Sequence, residues 1–134
     1  MKRAITALLA LCILMLTACG GDISGVQRII GESEVHTEGA VQTAMQAVES
    51  HFKKHFSGCT LKELAYDEAV YGAEGEEWAK QYEADAAIVL VSTFDVDGSG
   101  GDGSLKPNST YTGWKWILTR SDGGAWVLRT WGYG

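Results

Sequence analysis

The sequence has little proline and a deficit of positive charge. A single Pro in 134 residues excludes a proline-rich linker, and 11 Lys and Arg against 17 Asp and Glu give a net charge of −6. Proteins that bind nucleic acids neutralise phosphates with clustered Lys and Arg. We therefore expect no nucleic-acid partner.

Long apolar runs are also scarce, and the longest one lies at the N-terminus. Residues 4–16 contain no charged side chain and follow Lys2 and Arg3. As a helix these residues would span about 20 Å, which is short of the bilayer's hydrocarbon core of about 30 Å. The pattern is typical of a secretory signal peptide rather than of an anchor helix, and it predicts a signal peptide over residues 1–18.

The apolar run ends in Leu-Thr-Ala-Cys-Gly at residues 16–20, with narrow side chains just before Cys19. This segment resembles the lipobox of bacterial lipoproteins. The resemblance implies that Cys19 is the first mature residue, that it carries acyl chains such as palmitate, and that it anchors the protein on the extracytoplasmic face of a membrane in the cell envelope. Two or more acyl chains give stable attachment. The alternative is a secreted protein in which the cysteine occurs by chance.

Cleavage before Cys19 would leave two cysteines, Cys19 and Cys59. If Cys19 carries lipid, Cys59 has no partner within the chain, so no disulfide framework is available and the core alone must stabilise the domain. Glycine and polar residues follow Cys19, and they predict a flexible tether over residues 19–36. The folded domain is predicted over residues 37–134.

One long amphipathic helix is predicted over residues 37–56. Thr37 suits the N-cap position, and Gly58 lies where a left-handed cap would fall. The apolar residues recur at helical spacing and form one stripe, and they are Val41, Ala44, Met45, Val48, Phe52 and Phe56.

Four strands are predicted over residues 59–68, 86–96, 109–120 and 125–133, with a short helix or ordered loop at 73–82. The unbroken apolar run of the second strand indicates burial on both faces. Strict alternation predicts two faces for each of the last two strands. One face of the third strand would carry Trp114, Trp116 and Leu118, and the other Tyr111, Lys115 and Ile117. In the last strand, Val127, Trp131 and Tyr133 would alternate with Trp126 and Leu128.

These elements predict an α+β fold, with one long amphipathic helix packed on a curved four-stranded antiparallel sheet. The order resembles the cystatin-like folds, which include the NTF2-like superfamily. Residues 93–97 (TFDVD), 109–112 (STYT) and 114–118 (WKWIL) also resemble small bacterial lipoproteins of that type. The resemblance implies a conical pocket between helix and sheet, which serves catalysis in some members and binding or dimerisation in others. Because the inward strand positions here are apolar, no catalytic residue carries over.

An acidic loop supplies a candidate Ca²⁺ site. Asp95, Asp97 and Ser99 match positions 1, 3 and 5 of an EF-hand loop, and Asp102 adds a third carboxylate. Position 12 is Lys106 instead of Glu, and a strand precedes the loop. The alternative interpretation is an acidic connection between two strands.

Two further clusters carry candidate chemistry. His51, His55 and Cys59 are spaced by four residues and could bind zinc or copper on a continuous helix, unless Gly58 ends the helix first. The aromatic residues Trp114, Trp116 and Trp126 could form a binding face, or they could fill the core.

The leading functional hypothesis is a membrane-tethered, non-enzymatic domain that binds an unknown protein or small molecule. It follows from the predicted anchor and from the lack of an acid–base pattern in the sequence. One alternative is an NTF2-like enzyme acting on a small molecule. The other is a calcium-binding adhesion or stabilisation module.

Overall fold

The computed structural model describes residues 20–133, which form an α+β domain as predicted. Its elements are β1 (Gln27–Ile30), α1 (Glu38–His55), β2 (Cys59–Tyr66), α2 (Glu68–Gln81), β3 (Ala86–Val96), β4 (Ser109–Arg120) and β5 (Val127–Gly132). The strands form one sheet in the order β1-β2-β3-β4-β5. β1 is parallel to β2, and the other pairs are antiparallel. The predicted signal peptide and Cys19 lie outside the described residues.

The predicted long helix is confirmed as α1. Its N-cap is Thr37, whose side-chain oxygen accepts a hydrogen bond from the Ala40 N–H at 3.1 Å. Gly58, just beyond the helix, has a φ of +72°, the left-handed conformation that was expected there. The apolar stripe of α1 packs on the sheet, and its fully buried members are Val41, Ala44, Met45, Val48 and Phe52.

The sheet has five strands rather than four, because β1 lies in the segment that was expected to be a tether. The Gly21 N–H donates to the Lys53 carbonyl at 3.1 Å, the Asp22 N–H donates to the Cys59 carbonyl at 2.9 Å, and the Leu61 N–H donates to the Asp22 carbonyl at 2.8 Å. This part of the chain therefore belongs to the folded domain. With only four residues, three of them exposed, β1 offers no periodicity that sequence analysis could detect.

The segment predicted as a short helix or ordered loop at 73–82 is a helix that begins earlier, at Glu68, and it covers the second face of the sheet. The prediction of a single helix on one face is therefore corrected. α2 covers the face opposite α1, where Lys115 of β4 places its Nζ 2.8 Å from Oε1 of Glu74. A Cβ at Gly75 would lie 3.2 Å from the Ala87 carbonyl oxygen, so the glycine allows close packing on β3. Val89 and Ile117 are buried on this second face. The predicted burial of β3 on both sides is thus explained.

Two irregularities in the sheet overturn the predicted alternation of aromatic residues. The β3–β4 register shifts between Ser92 and Phe94, next to Gly113 with a φ of +68°. Tyr111 consequently lies on the α1 face and stacks on Phe94 at 5.2 Å.

None of the helices formed by residues 20–133 combines the length and the apolar character that crossing a membrane requires.

The second shift lies between β4 and β5, at Ile117 and Leu118. It pairs Trp131 with Trp116, and the two indole rings stack at 6.0 Å between centroids. Leu128 also packs against the α1-side core. Trp131 and Leu128 were expected on opposite faces, and the inserted residue brings them to the same one.

Candidate functional site: an aromatic cavity

A cavity of about 520 Å³ lies where the C-terminal end of α1 meets β4, β5 and the loop before β4. Its wall is largely aromatic, and polar atoms of the loop line the remainder. The residues are His51, His55, Phe56, Cys59, Gly101, Asp102, Ser104, Leu105, Trp114 and Trp131. A cavity with an apolar wall and few polar groups is the usual form of a small-molecule site.

The centre of the aromatic wall is His51. Its ring centroid lies 4.4 Å from that of Trp131 and 4.5 Å from that of His55. His51 and His55 are neighbours because residues four apart share one side of a helix. Trp131 reaches His51 because the shift in β5 directs its side chain toward α1.

Two buried polar atoms in this wall have no hydrogen-bond partner within residues 20–133. They are Nε2 of His51 and Nε1 of Trp114. Two other tryptophans on this face have partners: Nε1 of Trp116 donates to Ser92 Oγ at 2.8 Å, and Nε1 of Trp126 donates to the Ala40 carbonyl at 2.9 Å. A buried polar group without a partner costs about 1–3 kcal/mol. Both atoms have almost no accessible surface, so a ligand or water in the cavity would pair with them only after the neighbouring side chains shift.

The charge of His51 is set by its surroundings. Burial lowers the pKa of His51 below its ordinary value of 6.5, and the neighbouring His55 lowers it further. The ring is therefore neutral at neutral pH. A neutral imidazole has one donor and one acceptor nitrogen, so it can pair with either kind of ligand atom.

Cys59 lies in the same wall, but its thiol is poorly suited to chemistry. The residue is 2% exposed. Burial raises the pKa of Cys59 to about 11, and the charges of Asp97 and Asp102 add to the effect. Since the thiolate is the nucleophile and the metal ligand, the protonated thiol acts here as a small packed side chain.

His51, His55 and Cys59, the predicted metal ligands, all line the cavity, but they do not form a metal-binding cluster. Among residues 20–133 no group of three or more His, Cys, Asp or Glu side chains is close enough to hold a metal ion. α1 ends at His55, before Gly58, so Cys59 does not continue the helical line of the two histidines.

The carboxylates of the predicted Ca²⁺ loop are each engaged locally. Asp97 Oδ1 accepts hydrogen bonds from the N–H and hydroxyl of Ser99, and Asp102 is held in the same way by Ser104. These bonds lower the pKa of both aspartates. Asp95 accepts a hydrogen bond from the Thr110 hydroxyl at 2.7 Å. Calcium binding stays an untested alternative for this loop.

The predicted aromatic face is largely core. Trp116 is fully buried and Trp126 is 9% exposed, so neither offers an accessible surface. Of the three, Trp114 alone lines the aromatic cavity, whereas Trp126 lines a separate cavity beside the start of α1 and the turn at 121–124. Trp131 lines the same cavity, although strict alternation had placed it on the opposite side, so the sequence held no signal that it belongs to this wall.

A polar cluster lies at the other end of the domain from the aromatic cavity, near the start of α1. Glu68, at the start of α2, accepts hydrogen bonds from the Ser33 hydroxyl, from the Tyr66 hydroxyl at 2.9 Å and from the Glu34 N–H at 2.9 Å. These bonds, that of Ser33 above all, lower the pKa of Glu68 to about 2. Burial, reinforced by Glu68, raises the pKa of Tyr66 to about 12. Because the groups satisfy one another, the cluster serves to hold the loop before α1.

Comparison of the chain with protein-family models, with curated proteins and with solved structures found no match. The NTF2-like and lipoprotein resemblances therefore stay predictions. The geometry of the aromatic cavity and the sequence around Cys19 are the basis for a functional proposal.

Proposed function

We propose that this protein is anchored through an acylated Cys19 to the extracytoplasmic face of a bacterial membrane, and that its domain binds a small ligand in the aromatic cavity. The basic start, the short apolar run and the lipobox-like segment support the anchor. The unpartnered atoms of His51 and Trp114 support the binding site.

The wall of the cavity defines the class of ligand. The rings of Trp114 and Trp131 offer apolar surface to a flat or aliphatic body. Nε1 of Trp114 can only donate, so the ligand needs a hydrogen-bond acceptor. His51 Nε2 offers a second polar contact. The expected ligand is a small molecule with an apolar body and at least one acceptor oxygen or nitrogen.

A fluorescent probe tests the binding site. Anilinonaphthalene sulfonate combines an aromatic body with acceptor oxygens, and it can be titrated into a soluble chain that begins at Gly20. Trp114→Phe keeps an aromatic ring but removes the donor, so we expect the probe to bind about tenfold more weakly, or about 1.4 kcal/mol.

Trp126→Phe is the matched control, because Nε1 of Trp126 is bonded to the Ala40 carbonyl away from the cavity. Its probe affinity should equal that of the parent chain, once circular dichroism has shown that both variants are folded. Saturable binding that both substitutions weaken equally would contradict the assignment of the cavity.

Membrane fractionation tests the anchor. Cys19→Ala should block processing or release the protein from membranes, since acylation of that sulfur is the proposed attachment. Cys59→Ala should leave the protein in the membrane fraction. Mature, acylated, membrane-bound Cys19→Ala protein would rule out the anchor.

We also propose that the domain is NTF2-like or cystatin-like. The support is the chain order, in which α1 is followed by the antiparallel strands β2 to β5, with α1 packed on one face of the sheet. An experimental structure with a conical pocket open between α1 and the sheet would agree with this relationship. A sheet whose strands pair in another order would not.

A further inference from the structure

The chain is docked on the domain from the first residue after Cys19. A side chain at Gly20 would overlap the Lys53 carbonyl oxygen, and a side chain at Gly21 would overlap that of Phe52. The hydrogen bonds of Gly21 and Asp22 follow directly. No free linker therefore separates residue 20 from the C-terminal end of α1.

We call this side of the molecule the anchor end, comprising residues 20–22, 52–60 and 97–108. α1 and β3 end here, and β2 and β4 begin here. The opposite end carries the start of α1, the end of α2 and the turn at 121–124. β3 has 11 residues, so the two ends lie about 33 Å apart at about 3.3 Å per residue.

Direct docking changes what a lipid on Cys19 would do. A flexible chain over residues 20–36 would let the domain move up to about 60 Å from the membrane, at about 3.5 Å per residue. With residue 20 docked, only about one residue remains between the acylated sulfur and the folded body. The anchor end is then held at the lipid surface.

We propose that the anchor end rests directly on the bilayer, which places the aromatic cavity next to the membrane surface. This inference rests on the proposed acylation of Cys19. The partner is the lipid bilayer itself, and the short covalent attachment sets the orientation of the domain.

The exposed side chains beside the cavity fit this position. Trp131 is 42% exposed and Tyr133 is 61% exposed. Tyr133 stacks on Tyr111, near the start of β4, so it lies toward the anchor end. Trp and Tyr are the residues enriched where an apolar phase meets water.

Charge does not set the orientation. The exposed cations of the anchor end, Lys53, Lys54 and Lys106, are balanced by nearby carboxylates that include Asp97 and Asp102. A surface of mixed sign has little net attraction for anionic lipid. Contact with the bilayer should therefore persist at high salt.

Quenching by brominated lipid tests the orientation on the full, processed chain. A fluorophore is attached to Lys54→Cys at the anchor end, or to Lys80→Cys at the opposite end. Both lysines are exposed and lie in the last turn of a helix, so they form a matched pair. Cys59 is buried and protonated and should stay unlabelled.

Each labelled protein is reconstituted into phosphatidylcholine vesicles with brominated acyl chains, after mass spectrometry of its N-terminal peptide. We expect a large loss of fluorescence at position 54 and little loss at position 80, at low and at high salt. Equal quenching of both labels on acylated protein would overturn the orientation and leave the anchor intact. An unmodified Cys19 would overturn both.

An inserted spacer distinguishes two causes of the orientation: the short attachment at Cys19 and an intrinsic affinity of the anchor end for lipid. Ten Gly and Ser residues inserted between Cys19 and Gly20 add a root-mean-square length of about 17 Å. Acylation should be unchanged, and the quenching at position 54 should fall toward that at position 80. Quenching that the spacer leaves unchanged would overturn the claim that direct attachment sets the orientation.

Discussion

Arg28 of β1 and Glu49 of α1 form a bidentate ion pair, with Nε 2.8 Å from Oε2 and Nη2 2.9 Å from Oε1. The Glu49 side chain is 10% exposed and that of Arg28 is 32% exposed, so the carboxylate is the shielded member of the pair. Two parallel bonds to a carboxylate fix both side chains. The pair therefore ties the first strand to the long helix.

Loss of this pair should destabilise the domain. Arg28→Met leaves the Glu49 carboxylate buried without its cation, and we expect the free energy of unfolding to fall by about 1–3 kcal/mol. The control is Lys80→Met, which breaks the exposed pair with Glu77 and should cost less than about 0.5 kcal/mol. Urea unfolding measures both. Equal losses would show that β1 is not tied by this pair.

Docking of the N-terminal segment can be tested with a single methyl group. In Gly21→Ala the new Cβ would overlap the Phe52 carbonyl and lie 2.7 Å from Cδ1 of its ring. We expect a loss of about 1–3 kcal/mol, as for overpacking in a core. Gly25→Ala has nothing within 4 Å of the new atom and should change stability by no more than about 1 kcal/mol. If Gly21→Ala left the free energy of unfolding unchanged, the segment would not be docked.

Stability should fall as the solution is acidified through the histidine range. Burial lowers the pKa of both His36 and His51 below 6.5. As the pH falls below that value, the unfolded chain takes up protons that the folded chain does not, so unfolding is favoured. The melting temperature should drop between about pH 7 and pH 5. In His51→Gln the melting temperature should depend less steeply on pH. An unchanged slope in that variant would contradict the lowered pKa of His51.

A second loss is expected at lower pH. The pKa of Glu68 is lowered to about 2 from 4.5, so its contribution to stability is present above pH 4.5 and is lost as the pH falls toward 2. Glu68→Gln should reduce this phase, to which Asp97 and Asp102 also contribute, and should leave the histidine phase in place. Acid titration followed by circular dichroism resolves the two phases.

Calcium should leave the domain unchanged. In Asp97 and in Asp102 one carboxylate oxygen accepts hydrogen bonds from a neighbouring serine. A Ca²⁺ site needs six or more converging oxygens. We expect no rise in melting temperature when CaCl₂ is added to the protein. A rise that Asp97→Asn abolishes would restore the calcium hypothesis.

Sequence patterns predicted the elements with strong local signals. The helix could be placed because Thr37, the apolar stripe and Gly58 all agree on its limits. β1 could not be placed, since its partner is β2 and its own residues are mostly exposed. For α2 the sequence predicted a short helix or an ordered loop at 73–82, because Gly72 and Gly75 interrupt a helix that packing on β3 stabilises.

The candidate site was predictable only in part. Its composition, rich in Trp with two histidines one turn apart, was visible in the sequence. Its assembly depends on the register shifts beside Gly113 and in β5, and these turn Tyr111 and Trp131 toward α1. A shift of one residue moves a side chain to the other face, and no local pattern here signals it.

Mass spectrometry of the N-terminal peptide of the processed protein tests the anchor, and with it the membrane-bound role, most directly. If Cys19 is the anchor, the processed chain begins at Cys19 and carries acyl chains on that residue. A mature protein in which Cys19 is unmodified, or lies within a longer chain, would contradict it.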